Sequence, residues 1–243
     1  MSGHSRWAGI KHKKGAIDAK RGKVFTRIIR EVTIAAKSGG GNPDNNPRLR
    51  KAIEDAKAAN MPAENLKKAI QRGTGEIPGV VFEEVSYEGY GVGGVAVLVT
   101  GTTDNKNRTT SEIRKIFSSH GGNMGESGCV AWNFHMKGHI TVDKSAFSDE
   151  DKVMNAALEA GAEDIKSDDP ERFEVITVPA EVEKVKAALV AAGIPVASAE
   201  ATMLPGTTVS LEGSDGRKML SLLEDLEDND DVKDVYANCD IKE

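Results

Sequence analysis

Apolar residues recur every three to four positions through the first quarter of the chain, and further along they switch to the two-residue alternation of strands. Over residues 18–37, Phe25, Ile28, Ile29, Val32 and Ala36 fall on one side of a 3.6-residue wheel, which predicts a long amphipathic helix. The glycines and proline of residues 38–44 stop it. Asn46 ahead of Pro47 supplies an N-cap and a first-turn residue, so Leu49, Ile53 and Ala56 define a second helix ending near Asn60. Pro62 opens a third, with Leu66 and Ile70 inward and Gly73 at its end. Short helices on short loops make a small bundle.

Residues 73–79 read as a linker, and the period then changes. Strands are predicted over 81–87 and 95–100, joined by a glycine-rich loop at 88–94. That loop matches GxGxxG at Gly89, Gly91 and Gly94, but a dinucleotide site needs a helix after the glycines, and Val95 to Val99 form a strand pattern. A polar turn over 102–107 caps a helix at 108–120, with Ile113, Ile116 and Phe117 inward, and a strand follows over 129–134. The order to this point, β-β-α-β, is an incomplete sandwich. The next stretch is complete in itself. A strand at 139–142 leads to a helix at 148–160, capped by Ser148 and Asp151. Strands near 164 and at 173–178, a helix at 180–192 carrying Val182, Val185 and Leu189, and a strand at 196–203 follow. This β-α-β-β-α-β order is ferredoxin-like. A helix at 215–226 and a strand at 232–237 then finish the interrupted sandwich.

The expected fold is therefore α+β: an N-terminal three-helix domain followed by two α/β sandwich domains, the ferredoxin-like one inserted into the other. The corresponding boundaries are 1–78 for the helical domain, 79–133 plus 206–243 for the discontinuous α/β domain, and 134–205 for the insertion. A length of 243 residues suits two or three such units.

Charge divides the chain along the same line. Residues 1–78 carry 17 Lys and Arg against 7 Asp and Glu, net +10, while the rest carry 15 against 31, net −16, within an overall −6. The first thirty residues hold nine cations and the single acid Asp18. On the first helix, Lys20, Lys23, Arg27 and Arg30 lie roughly opposite the apolar stripe, where a solvated face would mix signs. A segregated basic head points to a polyanion, since Lys and Arg neutralise phosphates and release counterions. Arg48, Arg50, Lys51, Lys67, Lys68 and Arg72 extend the positive surface.

Other chemistries lack residues. Cys129 and Cys239 stand far apart with no CxxC or Cys/His spacing, which fits a reducing cytoplasm and gives neither a disulfide framework nor a zinc site. His135 and His139 have HxxxH spacing without a helix to carry it or a third ligand. Glu83 and Glu84, adjacent on a strand, point to opposite faces and form no acid/base pair. The acidic run 224–231 lacks calcium-loop spacing and reads as a solvated helix end. No nucleophile triad, P-loop or membrane-length apolar run occurs, so the sequence predicts no enzyme, cofactor, metal, small-molecule substrate or membrane partner.

The segment from Gly3 to Ile53 and the stretches AANMPAENLKKAIQRGTG, YEGYGVGGVAVLV, TDNKNRT and GGNMGESGCVAW together resemble the YebC/PmpR family. The resemblance spans essentially the whole chain and is densest in these motifs; Val92 stands where the family pattern has proline. It implies three domains and a non-enzymatic role in gene expression, usually described as DNA-binding transcriptional regulation. Relatives such as the mitochondrial translational activator of cytochrome c oxidase instead act in translation and are linked to relief of ribosome stalling at proline runs, so the resemblance implies as an alternative a ribosome-associated factor that binds rRNA or tRNA. The expected nucleic-acid contacts are Arg6, Lys11, Lys13, Lys14, Lys20, Arg21, Lys23, Arg27 and Arg30 on phosphate, with His4, Trp7 and His12 stacking on or bonding to exposed bases. The acidic α/β domains, kept away from phosphate by their charge, would present loops to a protein partner.

Overall fold

The computed structural model describes residues 19–242, with side chains from 22 to 241. Three helices come first: α1 (Ala19–Gly39), α2 (Pro47–Ala58) and α3 (Ala63–Thr74). Val32, Ala35 and Ala36 of α1 bury against Leu49 and Ala52 of α2 and Ala69 of α3, with Ile28, Ile29, Ile53, Leu66 and Ile70 around them. Asn46 does more than cap α2. Its side chain accepts from the Leu49 amide at 3.0 Å and donates to the Ala35 and Gly40 carbonyls at 2.7 and 2.9 Å, tying the start of α2 to the end of α1.

Gly73 was expected to end the third helix, but Gly75, in the left-handed conformation at φ 80°, caps it instead. Gly73 sits within the last turn because α1 passes there: a Cβ would lie 2.4 Å from the Thr33 carbonyl oxygen and 2.7 Å from the Ala36 Cβ. Gly73→Ala must therefore spread the two helices. It is expected to cost about 1–3 kcal/mol in urea unfolding, whereas the ordinary helix preference for alanine would favour it.

The mixed α+β body holds three sheets. The first, in order β3-β1-β2-β9, combines β1 (Glu83–Tyr90), β2 (Ala96–Thr103), β3 (Asn123–Met124) and β9 (Val232–Ala237). Strand β2 runs antiparallel to β1, Glu83 facing Thr103 and Tyr90 facing Ala96, and antiparallel to β9 on its other edge. Helices α4 (Lys106–Ser119) and α7 (Gly213–Asp228) supply Ile113, Phe117, Met219, Leu222 and Leu226 to the core over Val97 and Val99. The opposite face of β2 is also buried: Ala96 and Leu98 pack with Val130 and Phe134. Two further strands, β8 (Val209–Glu212) and β10 (Cys239–Lys242), pair in parallel and have no counterpart in the sequence reading.

The third sheet has the order β5-β6-β4-β7, every pair antiparallel, from β4 (Phe134–Asp143), β5 (Asp164–Lys166), β6 (Arg172–Thr177) and β7 (Ser198–Pro205). With α5 (Glu150–Ala160) and α6 (Val182–Ala191) on one face, this is the ferredoxin-like arrangement. Its helix starts differ in detail from expectation. Asp149, not Ser148, caps α5 by accepting from the Lys152 amide at 3.1 Å. A 3-10 turn, Pro179–Glu181, precedes α6.

The largest departure lies between α4 and β4. Residues 129–133 are not a strand; a bend and a 3-10 helix (Ala131–Asn133) occupy them, and β4 begins at Phe134. The loop expected over 88–94 is correspondingly shorter, because Glu88, Gly89 and Tyr90 are the end of β1. Glu88 causes the first change. Its buried carboxylate accepts from the amides of Gly128, Val130 and Ala131, each at 2.7 Å, so the backbone there is satisfied without a neighbouring strand. Burial pushes the Glu88 carboxyl up, but the three amides outweigh it and hold its pKa below the ordinary value.

Candidate nucleic-acid interface

Of the residues expected to contact nucleic acid, His4, Arg6, Trp7, Lys11, His12, Lys13 and Lys14 lie outside the described residues. Lys20 and Arg21 fall in the first turn of α1. The side chains that can be followed, Lys23, Arg27 and Arg30, share one face of the helix, as their spacing predicts. That face turns toward the body, with Lys23 at its exposed outer end and Arg30 largely covered.

It meets the acidic end of α7. Lys23 Nζ donates to the Asp228 carbonyl at 2.8 Å, and Arg27 donates to the carbonyls of Glu227 and Asn229. Arg30 donates to the Asp230 carbonyl and forms an ion pair of 2.8 Å with Asp231, and its guanidinium lies 5.5 Å from the centre of the Phe82 ring. The cause is visible in α7 itself. Its last turns carry Glu224, Asp225, Glu227 and Asp228 and no basic residue, so acids crowd the negative end of the helix dipole. The head supplies the missing cations, and the run 224–231 is a docking site for α1 where a solvated helix end was expected.

Asp231 is the centre of this contact, with its side chain only 3% exposed. Besides Arg30 it takes Arg108 Nη2 at 2.6 Å and the hydroxyls of Thr109 and Thr103. Burial raises its pKa, but Thr109, Arg108 and the charge of Arg30 outweigh burial and hold the carboxyl below its usual value. Thr103, Arg108 and Thr109 all come from the TDNKNRT motif, and Asn105 of the same motif caps α4 by accepting from the Arg108 amide. The motif thus builds the socket that receives Arg30. Gly101 is needed beside it, since a Cβ there would sit 2.3 Å from the Asp231 carbonyl oxygen.

Two more ion pairs cross the junction. Arg48 of α2 bridges Glu31 of α1 at 2.7 Å and Glu84 of β1 at 2.7 Å, and Lys233 of β9 reaches Glu31 at 2.9 Å. Burial raises the Glu31 pKa, yet the two cations bring it below its usual value. At the far end of β1, the ring of Trp132 is 67% exposed, and its indole N–H donates to the Cys129 carbonyl, which also accepts from the Tyr90 hydroxyl, both at 2.9 Å. Sequence reasoning placed Cys129 and Trp132 in a strand and so missed this fixed, exposed aromatic.

Comparison with known proteins gives the lineage. Residues 5–76 match the family model described as the TACO1/YebC protein N-terminal domain, and residues 82–239 match that of the TACO1/YebC second and third domain. The chain belongs to the TACO1/YebC family. Among its relatives, a protein of Endomicrobium trichonymphae is 60% identical over 242 residues, covering 99% of this chain and 96% of the relative. One from Dictyoglomus turgidum is 57% identical over 241 residues, with 99% and 96% covered. Both bear the name "probable transcriptional regulatory protein". The crystal structure of a conserved hypothetical protein from Aquifex aeolicus superposes with a TM-score of 0.80 at 50% identity, over 98% of this chain and 97% of that one. The two matched ranges contain the motifs read from the sequence. Among the described residues no group of three His, Cys, Asp or Glu side chains is placed to hold a metal, and no helix is long and apolar enough to cross a membrane.

Proposed function

We propose that this protein is a regulator of gene expression that binds nucleic acid through its basic head and acts on transcription. The observation that carries the reading is the charge partition, +10 over residues 1–78 against −16 over the remainder. The names borne by its relatives support the transcriptional assignment. The phosphate contacts are drawn from Arg6, Lys11, Lys13, Lys14, Lys20 and Arg21, with His4, Trp7 and His12 at exposed bases. Lys23, Arg27 and Arg30 belong to the same basic surface, but here they are engaged by the body. No reaction is assigned to the molecule, and the exposed acids of the body are available to a protein partner.

The test is binding to promoter duplex DNA and to a structured RNA of equal charge across a salt series. Replacing Lys11, Lys13 and Lys14 by Glu is expected to weaken binding and to flatten the dependence of log K on log salt by about three on duplex DNA. An unchanged slope would remove the head from the interface. Tighter binding to the RNA at every salt concentration would move the regulatory step from DNA to RNA.

A further inference from the structure

The contact between head and body raises a conflict with nucleic-acid binding. Lys23, Arg27 and Arg30 are the cations of α1 that a phosphate backbone running along the helix would meet, and they are held by the carbonyls of residues 227–230 and by Asp231. We propose that the end of α7 is a built-in phosphate mimic, and that docking of α1 on it and engagement of those three cations by a polyanion exclude each other. The inference rests on the nucleic-acid reading above.

Three observations carry it. First, the junction is ionic. The apolar cluster of the head runs from Ile28 to Ile70, the clusters of the body begin at Val85, and none among the described residues spans the two. Interfaces of this composition permit relative motion, and their bonds are open to screening by salt and competition by other anions.

Second, the docked state leaves donors over. The Nε of Arg27 and the Nε of Arg30 are both buried without a hydrogen-bond partner, so each guanidinium has been desolvated for a partial set of bonds. A phosphate accepting from Nε and Nη together satisfies the fork that backbone carbonyls leave incomplete.

Third, the contact is graded along the helix. At the outer end Lys23 is 43% exposed and pairs with Asp228, which is 68% exposed, while Arg30 at the inner end is 14% exposed. A polyanion can therefore start at Lys23, next to Lys20 and Arg21, and displace the body progressively toward Arg30.

The test uses the full chain with a fluorescein-labelled 20-base-pair duplex DNA and an RNA hairpin of equal charge. The double variant Asp228→Asn/Glu84→Gln loosens the junction at two exposed side chains. Glu159→Gln/Asp164→Asn makes the same charge change on the inserted domain and serves as the control. The junction variant is expected to bind about fivefold more tightly than the control. The radius of gyration of the unaltered protein in X-ray scattering is expected to grow on adding either probe. Equal affinity of the two double variants with no expansion would overturn the proposal, and if the Lys11/Lys13/Lys14 reversal still weakened binding, the nucleic-acid reading would stand without it. Absence of binding by every form would overturn both.

Discussion

Asp231→Ala is expected to lower the unfolding free energy by about 3–5 kcal/mol, the range for removing one partner of a buried ion pair. The carboxylate compensates Arg30 and Arg108 and accepts from two threonine hydroxyls, and alanine leaves all four without it. Asp231→Asn separates charge from shape. It keeps an acceptor for the threonines and loses the charge, so about 2 kcal/mol is expected. An asparagine variant as stable as the parent in denaturant unfolding would defeat the electrostatic account of the socket. The pH dependence follows from the sign of the shift. Asp231 and Glu88 both have folded-state pKa values below their unfolded ones, so their stabilisation is fully present above the ordinary carboxylate range, about 4, and is lost as pH falls through the depressed values. Thermal unfolding between neutral and acid pH is expected to show this fall, and the Asp231→Asn protein a shallower one.

Glu88→Ala is the second large effect. Three amides lose their acceptor in a site only part of which faces water, at a cost of about 3 kcal/mol. Glu88→Gln retains one carbonyl oxygen and turns an amide group toward the remaining N–H, so about 2 kcal/mol is expected. Hydrogen exchange gives the local readout. The amides of Gly128, Val130 and Ala131 should lose protection in both variants, while those of β6 in the inserted sheet keep theirs. Uniform loss across the chain would mean that Glu88 acts on global stability and not on this loop.

The local elements are largely legible in the sequence because their signals are local. Asn46–Pro47 announces α2, the stripe of Ile28, Ile29, Val32 and Ala36 defines the buried side of α1, and the order of elements from residue 134 to 205 yields the ferredoxin-like sheet. The failures come from partners distant along the chain. Val130, Ala131 and Trp132 look like strand, but a carboxylate some forty residues earlier supplies what a strand neighbour would have supplied. Strands β8 and β10 are four residues each and are recognisable only through each other. At the candidate interface, periodicity shows that Lys23, Arg27 and Arg30 share a face but cannot show what stands opposite. The clue available was the end of α7, where acids accumulate at a helix C-terminus without a single cation.

The placement of β9 also sets a timetable. Strand β2 has one edge on β1, and its other edge waits for residues 232–237, which emerge after the whole insertion has been made. During synthesis the inserted sheet can close first, since its partners are all in hand, while β2 keeps an open edge. Asp231 arrives with the same late segment. A nascent chain therefore carries its basic helix unmasked until residues 227–231 have been made, so shielding of that helix reports that the segment beyond the insertion has arrived.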